Sequence, residues 1–279
     1  MSPDRIAQCA QLAMLIELSS DPKPGNVDRC HDFSDIGYHH FVISVVSTYP
    51  IFRSASSGGS IGRLLLEGVR SWQSWGITTN THFGSLVLML PLAVAAGGHV
   101  DLRKGLAEVL KGTTADDAVN FYSAFALAGA RVADVEEFSL KDPGVASRLR
   151  EQGKTLLDLM HLSKDHDLIA GEWSSDYERS FHLADVLLET TRKLGLNEGV
   201  VRTYLTALAE SPDSLVRAKF GLSKAQEVSL MASRALEDET LESARDMDRE
   251  LLGQDVNPGS TADLIAAALF ISLLKGLRF

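Results

Sequence analysis

The 279-residue chain carries a formal net charge of −10, with 45% hydrophobic and 23% charged residues. That length and composition suffice for a sizeable core, and the acidic balance lacks the basic footprint of a nucleic-acid-binding protein. It leaves an anionic substrate open, because a local basic cluster or a metal ion inverts the field around it. No apolar run approaches the ~20 residues that a membrane-spanning helix needs; the best, Leu86 to Ala96, reads as a buried helix. The N-terminus, Met1-Ser2-Pro3-Asp4-Arg5, lacks the pattern of a secretion signal. Cys9 and Cys30 form neither a metal-binding spacing nor a disulfide framework and read as inert. A cytoplasmic protein with no membrane or nucleic-acid partner is expected, with self-association left open.

Taken in chain order, helical periodicity dominates. Residues 4–19 carry Ile6, Ala10, Ala13, Met14, Ile16 and Leu18, an apolar face too broad for a surface helix. The β-branched run Phe41-Val42-Ile43-Ser44-Val45-Val46 has strand character, but a lone strand has nothing to pair with, so a helix is predicted there too. Ile61, Leu64, Leu65, Val69 and Trp72 mark an amphipathic helix over 61–75. Thr113-Thr114 followed by Asp116 and Asp117 is a helix start for residues 115–133. Further helical patterns cover about 145–160, 175–194, 197–209, 222–237, 239–252 and 260–276, with Gly195, Gly199, Pro212 and Gly221 at or near their ends. The economical reading is one all-α domain spanning 1–279 with roughly ten helices.

Four polar segments stand out against this background. The first, Lys23-Pro24-Gly25-Asn26-Val27-Asp28-Arg29 with His31, Asp32 and Asp35, breaks a helix and mixes both signs of charge. Lys and Arg suit phosphate oxygens, and clustered carboxylates suit Mg²⁺; the plain alternative is an exposed loop whose charges pair with each other. The second, Thr78-Thr79-Asn80-Thr81-His82-Phe83-Gly84, sits directly before a helix that is apolar all round, so first-turn N–H groups point at a polar pocket, a geometry that binds anions. An ordinary N-cap cluster explains it equally well. In the third, Pro212 fits the first position of a helix and Asp213 its dipole, with Arg217 and Lys219 following. In the fourth, Ser260 or Thr261 is placed to cap the last helix, and Asp263 enters an alanine-rich apolar run where a carboxylate needs a partner or a metal. Common nucleotide-binding, metalloprotease and esterase motifs are absent.

The ordered set Lys23-Pro24-Gly25, Val27-Asp28-Arg29, Thr79-Asn80-Thr81-His82 with Gly84, then Asp213 to Arg217 and Pro258 to Leu264, resembles the triphosphoribosyl-dephospho-CoA synthase family over roughly residues 13–275. The resemblance implies an all-helical enzyme in which the 2′-hydroxyl of 3′-dephospho-CoA attacks C1′ of the ribose of ATP and adenine leaves. It implies ATP as substrate and Mg²⁺ as its cation. Lys23 and Arg29 then bind phosphate, with Gly25, Thr79, Asn80, Thr81, Arg217 and Lys219 completing the nucleotide-binding set. Asp28 with Asp32 or Asp35 holds Mg²⁺, and Asp213 is a further metal candidate. Asp28, His82 and Asp263 are the candidate acid–base residues, His82 because its ordinary pKa lies in the useful range.

Departures from the family pattern point to a divergent branch like that of archaea and some one-carbon-metabolising bacteria. Phe83 stands where the family has lysine, Asn26 replaces leucine, and Cys30-His31-Asp32-Phe33-Ser34-Asp35 replaces an Asn-Gly-Ala-His stretch. A glycine- and acid-rich family stretch survives only as Gly129-Ala130-Arg131. Alternatives are the same chemistry on another acceptor such as a pterin or furan one-carbon carrier, a nucleotide-binding helical protein without transfer activity, and a metal-dependent phosphohydrolase.

Overall fold

In the computed structural model, residues 1–32, 36–130, 138 and 144–279 are described. Phe33, Ser34, Asp35 and Arg131 of the motifs above, and residues 131–133 of the predicted 115–133 helix, lie outside them. Sixteen helices and no strands are present among the described residues, so the all-α expectation holds. The number exceeds ten because several periodic stretches are interrupted: 145–160 divides at Gly153, whose φ is +62°, into α8 (Val145–Glu151) and α9 (Leu156–Ser163). The segment Phe41 to Val46 lies within α2 (Tyr38–Ser47), as the absence of a pairing partner requires.

The chain divides into two compact units. The first comprises Met1–Leu12 and His40–Glu178. It contains α3 (Tyr49–Ala55), α4 (Ile61–Gln73), α5 (Phe83–Gly98), α6 (Leu102–Lys111), α7 (Ala115–Ala128), α8, α9 and α10 (Leu168–Ser174). Helix α5 is its central element, with every residue from Phe83 to Ala93 buried. Pro91 lies inside it and has no N–H to give the carbonyl four residues back. That carbonyl, Val87 O, instead accepts from Trp173 Nε1 at 3.2 Å and Tyr177 Oη at 3.4 Å, both fully buried. Helices α4 and α7 approach closely at Gly62, where a Cβ would lie 2.2 Å from the Asp117 carbonyl oxygen. Thr114 caps α7 in a reciprocal box with Asp117, as the threonine–aspartate pattern predicts.

The second unit comprises Ala13–His39 and Arg179–Phe279. It holds the C-terminal half of α1 (Pro3–Ser19) and α11 (Glu178–Leu194), α12 (Leu196–Glu210), α13 (Ser214–Phe220), α14 (Leu222–Leu236), α15 (Glu242–Gly253) and α16 (Gly259–Leu274). Helix α16 is buried on all sides from Ser260 to Leu273 apart from Asp263. Helix α12 packs on both α14 and α16. No single described helix is long and apolar enough to cross a membrane.

Candidate active site

The Lys-Pro-Gly motif of the second unit forms a loop after α1 that is almost wholly buried from Asp21 to Asp28. Burial of so polar a segment requires a partner for each backbone group. Asn197 of α12 exchanges two hydrogen bonds with the Asp21 backbone, accepting at 3.0 Å and donating at 2.7 Å. Tyr204 Oη donates to Pro24 O at 3.0 Å. Gly25, at φ +74°, donates its N–H to Asp248 Oδ1 of α15 at 2.9 Å. A Cβ at Gly25 would lie 2.3 Å from Val256 O, so only glycine satisfies both the backbone angle and the space.

Lys23 is fully buried. Its ammonium donates to Glu17 Oε1 at 2.5 Å, Asn26 Oδ1 at 3.2 Å and Val27 O at 3.2 Å. Those three bonds use all three of its protons. Burial raises the Glu17 carboxyl above its ordinary range, although the Lys23 charge pulls the other way.

Asp28 is also fully buried. Its Oδ1 accepts the Cys30 N–H at 2.7 Å and the His31 N–H at 3.1 Å, while Oδ2 is buried with no hydrogen-bond partner. His31 Nδ1 lies 3.4 Å from Asp28 Oδ1 and 3.5 Å from Asp248 Oδ2. One ligand atom from each of Asp21, Asp28 and Cys30 falls within 4.8 Å of the others. Asp248 is pushed up by burial; the Gly25 amide and His31 oppose this, and the charges of Asp28 and Asp21 add to it. Tyr204 is raised well above 10.0, by burial and then by Asp213, Glu17, Asp248 and Asp28. The second unit therefore holds several carboxylates around one buried loop, with Lys23 as its buried cation.

The remaining sequence candidates of this unit have local tasks. Asp213 is itself the N-cap of α13, so the helix starts at Ser214, two positions later than the Pro212-first reading placed it. Its Oδ1 accepts from the N–H groups of Leu215 and Val216, and its Oδ2 from the N–H and hydroxyl of Thr261, all at 2.7–3.0 Å. Thr261 and Ser260 therefore do not cap α16: Thr261 donates to Asp213, and Ser260 meets Ser214 Oγ at 2.9 Å. Exposed Asp32 accepts the Tyr38 N–H at 2.6 Å. Arg29 is half-exposed, 3.8 Å from Asp21. Lys219 pairs with Asp255 at the surface, Arg217 lies half-buried on the same helix, and half-buried Asp263 sits in the second turn of α16.

The Thr-Asn-Thr-His segment belongs to the first unit. Asn80 Oδ1 accepts the Phe83 N–H at 3.1 Å and so closes the start of α5. Thr79 is half-buried and Thr81 buried, its hydroxyl without a hydrogen-bond partner. His82 is 2% exposed, with Phe41 edge-on at 5.0 Å between ring centres. Ser44 Oγ donates to Phe41 O at 3.0 Å and lies 2.6 Å from His82 Nδ1. The Ser44 hydroxyl holds Nδ1 in either tautomer, since it can give its proton to the ring nitrogen or accept the ring N–H. Phe83 points into an aromatic cluster, 5.7 Å from Phe121 and 5.6 Å from Phe125 between ring centres.

Sequence reasoning missed Glu17, Asp21, Ser44, Tyr204 and Asp248. Two of these left a signal. Glu17 interrupts the apolar face of the first helix. Asp248 occupies a core position in the stripe Ala244, Met247, Leu251, where a carboxylate needs a buried partner.

An all-helical chain that keeps so much carboxylate out of water, one oxygen of it unsatisfied, is built for chemistry at some cost in stability. Comparison with known proteins makes it an enzyme of the transferase class. The model of the ATP:dephospho-CoA triphosphoribosyl transferases matches residues 3–278, and the chain belongs to that family. It is similar to the probable 2-(5''-triphosphoribosyl)-3'-dephosphocoenzyme-A synthase of Streptococcus equi subsp. zooepidemicus, at 25% identity over 98% of this chain and 97% of that protein. It is also similar to the crystal structure of a candidate triphosphoribosyl-dephospho-CoA synthase from Archaeoglobus fulgidus, with a TM-score of 0.71 and 28% identity over 84% of this chain and 99% of the other. The family reaction moves the triphosphoribosyl group of ATP onto dephospho-CoA.

Proposed function

We propose that the buried loop of residues 21–32 is the centre of this transfer and that the unpartnered Asp28 Oδ2 is its key group. An orphaned carboxylate oxygen inside a protein is costly unless a cation or a developing positive charge meets it. The transfer supplies both: breaking the bond between C1′ and adenine leaves an oxocarbenium-like centre, and the triphosphate arrives with its counter-ion. Asp21 and Asp28 are hard oxygen donors of the kind Mg²⁺ takes, one or two carboxylates plus substrate phosphates. Bound there, Mg²⁺ would neutralise triphosphate charge.

In the first unit, His82 keeps the acid–base role its imidazole suits, with the Ser44 hydroxyl holding the ring at Nδ1. Taken by itself, the α5 start with Thr79, Asn80 and Thr81 has the main-chain N–H geometry that suits a phosphate or ribose oxygen. Lys23 is assigned here as the pin of the loop and not as a phosphate ligand, because its three protons are already used. Asp213, with four hydrogen bonds to its carboxylate, is a structural cap and not a metal ligand. Arg29, half-exposed beside the same loop, keeps the phosphate role. The reaction, with ATP as substrate, belongs in the cytoplasm, and we read residues 1–279 as one functional catalytic domain.

Phe83 favours a divergent branch and an altered acceptor. Where the family pattern carries a lysine, this chain buries an aromatic ring against Phe121 and Phe125, which removes one cation from the α5 start. A one-carbon-carrier intermediate is the second acceptor to try.

The test is chromatography of products from pure protein, ATP and Mg²⁺, with and without dephospho-CoA, for wild type and Asp28→Asn. Adenine formed by wild type only when dephospho-CoA is present, and lost in Asp28→Asn, is the expected result. Adenine formed by Asp28→Asn at the wild-type rate refutes the site. Adenine formed with a pterin and not with dephospho-CoA moves the chain to the altered-acceptor reading.

A further inference from the structure

We propose that Asp21, Asp28 and Cys30 form a binding site for a thiophilic divalent cation of the Zn²⁺ or Co²⁺ class, with His31 as a fourth donor, occupied before nucleotide arrives. One donor atom from each of Asp21, Asp28 and Cys30 already lies within 4.8 Å of the others. Donors around a tetrahedral zinc sit ~3.5 Å apart, given metal–ligand bonds of ~2.0–2.3 Å, so modest side-chain rotation closes the set. Cys30 is exposed and has room to turn.

A second observation points independently to a ligand. Asp28 is completely buried, yet its Oδ2 has no hydrogen-bond partner. His31 Nδ1, also a buried atom without a hydrogen-bond partner, stands 3.4 Å from Asp28 and 3.5 Å from Asp248. The only cationic side chains recorded against Asp21 among the described residues, Arg29 at 3.8 Å and Arg245 at 3.6 Å, are long, half-exposed contacts. They can swing into solvent at little cost.

The donor set decides the class of ion. Mg²⁺ takes oxygen ligands and gains nothing from sulfur. A thiolate, an imidazole and carboxylates suit Zn²⁺ and Co²⁺, which lie higher in affinity for nitrogen and sulfur donors. The site shares Asp21 and Asp28 with the proposed Mg²⁺–triphosphate contact, so a bound thiophilic ion and incoming Mg·ATP compete. Zn²⁺ is therefore an inhibitor of this chain through Cys30.

The test is a titration of the full-length, nucleotide-free protein with Co²⁺, followed by near-ultraviolet absorption, and with Zn²⁺ by competition. Expected are one equivalent of Co²⁺, a thiolate-to-cobalt charge-transfer band, persistence of that band in a large excess of Mg²⁺, and its loss in Cys30→Ser. Zn²⁺ affinity in Cys30→Ser falls by at least the ~10–100-fold that loss of a merely supporting partner costs. Cys9→Ser, which alters the buried thiol, leaves the band unchanged. Circular dichroism of Cys30→Ser, a surface change, reports its folding. Absence of stoichiometric binding, binding without the band, or a band that survives Cys30→Ser overturns the proposal. Because the readout needs no turnover, a protein that binds Co²⁺ but releases no adenine would refute the catalytic reading and leave this one standing.

Discussion

Replacing Lys23 separates two roles that the same residue could hold. In Lys23→Met the Glu17 carboxylate is left buried at 5% exposure without its ammonium, and Asn26 Oδ1 and Val27 O each lose a donor. Breaking a buried pair from one side costs ~3–5 kcal/mol. At ~2–4 °C per kcal/mol the melting temperature falls by roughly 6–20 °C. Removing both charges is different: Lys23→Met with Glu17→Gln leaves no uncompensated ion, and exchanging a buried pair for neutral groups is often close to neutral. The double variant should therefore recover most of the loss. The assay is thermal unfolding of wild type, both single variants and the double variant, with the KM for ATP measured below the transition. A Lys23→Met protein that melts within about 2 °C of wild type but shows a strongly raised KM for ATP would show that Lys23 meets phosphate, and the pinning argument would be wrong.

Ser44→Ala removes the hydroxyl that holds His82 Nδ1, so kcat falls roughly 10–100-fold, as for other groups that orient an imidazole. Its pH profile shifts while the KM for ATP stays constant, and Ser44→Thr restores the hydroxyl and the rate; a stability loss with an unchanged pH profile and kcat would leave Ser44 a packing residue. Asp238 caps the start of α15 by accepting from the N–H groups of Thr240 and Ser243 and from the Thr240 hydroxyl, which holds its carboxyl well below the ordinary 3.8. Because the unfolded chain takes up this proton more readily than the folded one, the associated stability is present above about pH 4 and is lost as pH falls through the depressed range. Melting curves between about pH 2 and 5 should be less steep with pH in Asp238→Asn than in wild type; parallel curves would sink the linkage.

Much of the molecule follows from local chemistry. Alternation of apolar residues at helical spacing made the chain all-α, and the Thr114–Asp117 box started α7 where the hydroxyl and carboxylate predicted. The glycine of the Lys-Pro-Gly turn was legible as a break, since a helix followed by Pro-Gly has few other outcomes. The four polar segments were visible because so much charge beside so much apolar helix is unusual.

What the pattern could not supply was the partner of each group, because hydrogen bonds between distant segments leave no periodicity. Asp213 looked like a dipole residue and became the clamp between the start of α13 and Thr261, forty-eight positions away. Lys23 looked like a phosphate ligand until the fold used its three protons internally. Val87 O, orphaned by Pro91, was rescued by Trp173 and Tyr177, eighty-six and ninety residues later. Asp248 and Glu17 entered the site only because the fold carries α15 and the end of α1 to the same buried loop. Residue type and spacing determined which elements form and where reactive groups are concentrated. Tertiary structure alone decided which of those groups are spent on each other and which, like Asp28 Oδ2, are buried without a hydrogen-bond partner, because desolvation is a property of the packed molecule and not of the segment.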